Sequence, residues 1–202
     1  MGNKPFLGHY GLYAIIVFFA ICWTLLAFHP YSVFDWWLEN LLTLASLAGL
    51  AASYRWFRFS NSSYFLIMIF IVMHTIGAHF AYNTTPIDRF LNLLFHFERQ
   101  NYDRVVHFAF GLLIAYPVYE VIVRLTSMRR GWAHIAVPWL ILGFGAYYEL
   151  IEMWVALIVS PEKGAMFLGS QGDPWDAQHD MEVALYGASI AMLAAFLFRR
   201  RR

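Results

Sequence analysis

Long apolar stretches broken by short polar segments run through this chain, and they leave few folds open to it. A membrane-spanning helix needs about 17–25 mostly apolar residues. Six stretches qualify: residues 10–28, 37–54, 64–82, 105–123, 133–158 and 181–198. Charged residues make up only 13% of the 202 residues, about half the roughly 25% of a soluble domain. So large a deficit in so short a chain points to a lipid-facing surface rather than to a large soluble core. Aromatic residues, 19% of the total, fit the same reading, because Trp and Tyr gather at the membrane interfaces. The expected fold is all-α: a polytopic membrane helix bundle of six transmembrane helices, one transmembrane domain over residues 1–202. The first stretch follows only Lys4 and has no small-x-small cleavage site, so it reads as a retained helix.

Lysine and arginine positions give the orientation. With the N-terminus inside, ten of the fourteen basic residues fall on the cytoplasmic side: Lys4, Arg55, Arg58, Arg124, Arg129, Arg130 and Arg199 to Arg202. Only Arg89, Arg99, Arg104 and Lys163 fall on the other. That asymmetry satisfies the positive-inside rule and puts both termini in the cytoplasm. The basic tail then reads as a membrane anchor, and a net charge of +1 gives no basis for a nucleic-acid partner. Small residues at four-residue spacing (Ala45, Gly49, Ser53; Gly187, Ala191, Ala195) predict that spans two and six pack inside the bundle. Ile87, Phe90, Leu91, Leu94 and Phe95 recur at helical spacing and predict an interfacial helix over residues 87–98. Loop 160–180, with Gly164, Gly169 and Gly172, predicts tight turns; no strand precedes it and no Gly-Lys-Ser/Thr occurs, so it is no phosphate loop.

Charged groups in the hydrocarbon layer cost about 3 kcal/mol or more unless paired or hydrated, so their positions carry information. At 1.5 Å per residue, His79 and His74 lie about 5 and 12 Å below the outer end of span three, and Glu149 and Glu152 about 10–14 Å below that of span five. Asp103 and His107 straddle the start of span four, and Asp176, His179 and Asp180 precede span six. Four spans thus bring acids and histidines to the outer half. Asp103 and His107, four apart, share a helix face, where the carboxylate can orient the imidazole. Two chemistries fit. One is a general acid–base site of Asp103, His107, Glu149 and Asp180. The other is a divalent-metal site drawn from His79, His107, Glu149, Glu152, Asp176 and Asp180, since facing helices in bundles supply such ligands.

The remaining polar residues have plainer readings. His74 reads as a hydrogen-bonded interior histidine and Glu120 as the i,i+4 partner of Arg124. Arg104 is near enough in sequence to pair with the acids, so a purely structural polar network competes with a functional site. No role falls to His9, His29, His96 or His134, and Ser170 reads as a turn residue. Cys22 has no disulfide partner. Asn83-Thr84-Thr85 fits a glycosylation sequon, which matters only in a eukaryotic source.

Three motifs carry a family resemblance: Tyr102-Asp103-Arg104 with His107-Phe108; Tyr148-Glu149-Leu150-Ile151-Glu152; and Leu168-Gly169-Ser170-Gln171-Gly172-Asp173-Pro174-Trp175-Asp176. With His79 and Tyr82 they resemble the YjdF-like family of bacterial inner-membrane proteins over most of residues 64–190. The resemblance implies a membrane fold and an inner-membrane location, and it names no reaction; His179 stands outside the family motif. The order Asp103/His107, Glu149, Asp180 with Gly187-Ala188 is also similar to VanZ-like membrane proteins, a likeness of pattern that establishes no function. The expected function is an outward-facing site that acts as a hydrolase or transferase on a lipid or lipid-linked group. Gln171, Asp173, Tyr82 and Arg104 would bind the substrate. A proton- or metal-coupled transporter is the alternative, although the sequence has no inverted repeat or visibly broken helix. A structural membrane protein is the third reading. The oligomeric state is not legible in the sequence.

Overall fold

The structure, a computed structural model, describes residues 10–82, 85–97 and 99–200, without the side chains of Arg199 and Arg200. Lys4, His9, Asn83, Thr84 and the side chains of the four-arginine tail, all of which enter the expectations above, lie outside the described residues. Eight helices follow one another: α1 (Tyr10–Leu26), α2 (Val33–Ser53), α3 (Asn61–His79), α4 (Pro86–Phe95), α5 (Tyr102–Leu125), α6 (Arg130–Ile158), α7 (Pro161–Leu168) and α8 (Asp176–Arg200). Among the described residues, α3, α5, α6 and α8 are long and apolar enough to cross a membrane. Helix α1 is apolar but shorter, at 17 residues, and α2 interrupts its apolar character with Asp35 and Glu39.

Helix α5 is the centre of the bundle, flanked by α3, α6 and α8. Its closest neighbour is α8, and glycine makes that closeness attainable. A Cβ on Gly111 would lie 1.9 Å from the carbonyl oxygen of Ala184, and one on Gly187 would lie 2.3 Å from that of Phe108. The two backbones therefore touch directly, as small residues allow in membrane bundles. Below this contact Ala115, Ile122, Val137, Ile141, Ala188 and Met192 form a buried core shared by α5, α6 and α8. Ala191 and Ala195 pack against it, as their spacing predicts.

The small-residue stripe of α2 behaves otherwise. Ala45 and Gly49 are exposed, and a Cβ at Gly49 would meet nothing within 4 Å. The inward face of α2 is occupied instead by Asp35, Trp36, Glu39, Asn40 and Thr43, held partly by the 2.6 Å bond from the Trp23 indole to Asn40. Helix bounds also shift, and each shift has a local cause. Ser32 caps α2 by accepting from the Asp35 amide, so the helix opens at Val33. The α3 helix stops at His79, because Ala81 and Tyr82 take positive φ of 48° and 54°. That turn folds the Tyr82 ring over Gly77, where any Cβ would collide with it. Loop 160–180 holds a helix, α7, where only turns are expected from the sequence. Pro161 opens it and Gly169, at φ 60°, ends it, the usual asymmetry of helix ends.

Two carboxylates cap helices from a distance. Asp88, buried on α4, accepts from the amides of Asn101 and Tyr102 at 2.6 and 2.8 Å, satisfying donors that a helix start leaves free. Around it the apolar side chains of α4, among them Phe90, Leu93 and Leu94, point outward. Glu120 pairs with Arg124 at 2.6 Å, as its spacing predicts. It also accepts from the Ser60 amide at 2.9 Å and the Ser63 hydroxyl at 2.5 Å, tying the start of α3 to α5.

Two outcomes follow for stability in detergent. Gly111→Val should force α5 from α8 and lower the melting temperature, an overpacking cost of about 1–3 kcal/mol. Gly143→Ala, with open space around it, should be neutral or gain about 0.5–1 kcal/mol. Glu120→Ala should cost about 1–3 kcal/mol, because it strips partners from several donors at once. Arg124→Ala, at the exposed end of the pair, should cost less than half as much. Thermal unfolding of the four variants checks both.

Candidate functional site

The stripe that carries Gly111 into α8 carries two polar residues above it. Asp103, His107 and Gly111 are spaced four apart, so all three face α8. On α8 the matching positions are Asp180, Ala184 and Gly187. Of the residues expected in the site, Asp103, His107, Glu149 and Asp180 come together. The His107 Nε2 lies 3.5 Å from Asp103 Oδ1 and 3.5 Å from Glu149 Oε1. One ligand atom each from Asp103, His107 and Asp180 falls within 4.8 Å of the others. His107 and Asp180 are buried. Glu149 Oε1 and Asp180 Oδ1 are fully enclosed yet accept no hydrogen bond, a costly state for a carboxylate oxygen.

A second group of polar residues lies beside it and was not anticipated. Asp35 and Glu39 of α2 are 2% and 5% exposed, and neither Asp35 oxygen has a hydrogen-bond partner. They line a small recess with Asp103, Glu152, Tyr82, Phe167 and Gly169. Glu39 accepts from the Tyr148 hydroxyl at 3.0 Å. Its backbone carbonyl, an obligate acceptor, sits 3.1 Å from His74 Nε2, so that nitrogen carries the proton. The Tyr82 hydroxyl then donates to His74 Nδ1 at 2.6 Å. His74 is thus the bonded interior histidine that its position suggests. The sequence signal for Asp35 and Glu39 is their i,i+4 spacing, hidden when span two is started at residue 37.

Other expected residues are placed elsewhere. His79 does not join the cluster: its Nδ1 is bonded to the Leu26 carbonyl at 2.7 Å, and its ring meets Trp36 edge-on. Asp176 shares a helix with Asp180 but is taken up by Arg99 at 2.7 Å and Arg104 at 3.3 Å. Arg104 and Asp173, expected to bind substrate, are paired with each other at 2.5 Å. Asp173 also holds Arg99 at 3.1 Å and His179 at 2.9 Å. The Trp175 amide, His179 and Arg104 together hold the Asp173 carboxyl down at about 2, so it stays ionised at any ordinary pH. Gln171 exchanges two hydrogen bonds with the Gln100 backbone, at 2.8 and 3.2 Å. These residues form a clasp between the loop before α5 and the loop before α8. Arg99 is its unanticipated member.

Beneath the cluster a cavity of about 540 Å³ opens between α2, α3, α5 and α6. One end carries Asp103, His107, His74 and Tyr82; the remainder is mostly apolar, with Ile67, Phe70, Phe110, Ile114 and Phe144 among its walls beside Ser46 and Ser53.

Comparison with known proteins agrees with the membrane character of the fold. Residues 11–201 match a family described as predicted membrane protein (DUF2238). The chain is 33% identical over 171 residues to the inner membrane protein YjdF of Escherichia coli (strain K12), covering 83% of this chain and 81% of that protein. No solved structure matches. A match over nearly the whole chain, with a relative of this identity, makes the chain a member of the DUF2238 family of predicted membrane proteins, the YjdF-like group its motifs resemble.

Proposed function

We propose that this chain is a bacterial inner-membrane protein with six spans, both termini in the cytoplasm, and an outward-facing site that binds a divalent cation. With that cation it acts as a hydrolase or transferase on a lipid or lipid-linked group. The location is supported by the relative's description as an inner membrane protein. The orientation is supported by the ten-to-four division of basic residues. The outward apolar face of α4 supports its lying in the outer interface. One compact domain is the simplest reading of a bundle in which α5 contacts α3, α6 and α8.

The observation that carries the proposal is the pair of enclosed, unpartnered oxygens, Glu149 Oε1 and Asp180 Oδ1, beside His107. Buried carboxylates need compensation by hydrogen bonds, opposite charge or metal. Arg99 and Arg104 give their terminal nitrogens to Asp173 and Asp176, and the remaining buried donor, Arg104 Nε, bonds to none of the cluster's acids. A cation among Asp103, His107 and Asp180 would supply that compensation. Such a set, oxygen-rich with one imidazole, suits Zn²⁺ or Mn²⁺. A bound cation would lower the pKa of water or polarise a phosphoryl or ester oxygen, and Glu149 is positioned to accept a proton. A closed structural network fits less well, because it would leave no unpaired acid and no cavity. Against a transporter, the cavity carries no charged group below His74, only hydroxyls such as those of Ser46 and Ser53.

Elemental analysis of the purified protein tests the cation directly. One divalent ion per chain is expected, lost in His107→Ala and in Asp180→Asn. Added metal at a hundred times its dissociation constant should stabilise the metal-stripped wild type by about 2.7 kcal/mol and leave both variants unmoved. Metal-free wild type, with no thermal response to Zn²⁺ or Mn²⁺, would sink the proposal.

A further inference from the structure

We propose that the cavity seats one hydrocarbon chain of a bilayer lipid, entering sideways between α2 and α6 with its polar end at Asp103 and His107. This rests on the reading of the site as one that acts on lipid, and it names the part of the substrate the protein grips. Three observations favour a lipid chain over any other occupant.

The first is polarity. The charged and imidazole groups of the cavity lie at one end, while its long remainder is mostly apolar, with Ser46 and Ser53 as its polar lining on α2, which matches a head joined to a tail. The volume, about 540 Å³, lies within the roughly 300–1,000 Å³ of ordinary ligand sites.

The second is access. Leu42 and Gly49 on α2, and Phe144 and Tyr147 on α6, line the cavity and are also exposed. The opening between them is at the surface that hydrocarbon would cover. A hydrogen bond from Tyr148 to Glu39 joins α2 to α6 at the outer end of this gap. Below that bond the small residues Ser46, Gly49 and Ser53 face the space.

The third is length. The α2 lining runs from Leu42 to Ser53, about 16 Å at the helical rise. That is about half of a 30 Å hydrocarbon core, the depth of one leaflet. Gly49, where a Cβ would meet nothing within 4 Å, sits where bulk would shorten the space without disturbing a packed neighbour. The cavity therefore acts as a ruler for chain length.

Retention of palmitoyl and lauroyl lysophosphatidylcholine, counted per chain by native mass spectrometry, tests this in the full-length protein. Wild type is expected to retain one palmitoyl lipid. Gly49→Phe and, independently, Ser46→Phe should weaken palmitoyl retention about tenfold and shift preference to the lauroyl lipid, with metal content unchanged. Gly143→Phe, which adds the same bulk at an exposed site outside the cavity, should retain palmitoyl lipid like wild type. Wild-type retention in both Gly49→Phe and Ser46→Phe would overturn the chain site, as would equal loss in Gly143→Phe. A protein that retains the lipid by this pattern but holds no metal would keep the chain site and defeat only the cation reading.

Discussion

The direct contact of two helix backbones, at Gly111 of α5 and Gly187 of α8, is the constraint on which the rest of the site depends. Lipid tails are as apolar as leucine, so helices in a bilayer gain nothing from hiding apolar surface from water. What holds them is close van der Waals contact, and glycine permits the closest. Because Asp103 and His107 precede Gly111 at four-residue steps, and Asp180 precedes Ala184 in the same way, seating the glycines presses the acids and the histidine together. Packing in the apolar part of the helices thus sets the geometry of the polar part.

Charge at this end of the bundle is divided into two populations. In the clasp, Asp173 and Asp176 meet Arg99, Arg104 and His179 at 2.5–3.3 Å, and each acid has its counter-charge. In the cluster below, Asp103, Glu149 and Asp180 share one histidine, with oxygens left unpaired. Asp35 and Glu39 add two more carboxylates close by. The clasp ties two loops over the bundle and spends the available arginines doing so. A site short of positive charge beneath a lid that has enough is an arrangement suited to receiving a cation, and an apolar cavity beside it is suited to receiving a tail.

Much of this was legible in the sequence, and for identifiable reasons. The apolar stretches mark the helices because span length is imposed by the bilayer. The i,i+4 spacing of Asp103 and His107, and of Glu120 and Arg124, gives real neighbours because helical geometry is local. Residues whose partners lie far along the chain cannot be sorted by spacing. Asp176 has the same spacing credentials as Asp180 but turns to arginines 77 and 72 residues away. His79 turns to a carbonyl 53 residues away. The α2 stripe looks like a packing face, yet its partner helix stands off and leaves a cavity.

The sequence alone determined the membrane character, the helical class, the position of each long helix to within a few residues, and the gathering of acids and histidines toward one end of the helices. These follow from hydropathy and periodicity, which are properties of neighbours in the chain. Only the tertiary structure decided which acids meet His107, which are neutralised by arginine, and where space is left. Those depend on how helices rotate and how closely they approach, and that is settled by backbone contacts such as Gly111 against Ala184, between residues 73 positions apart.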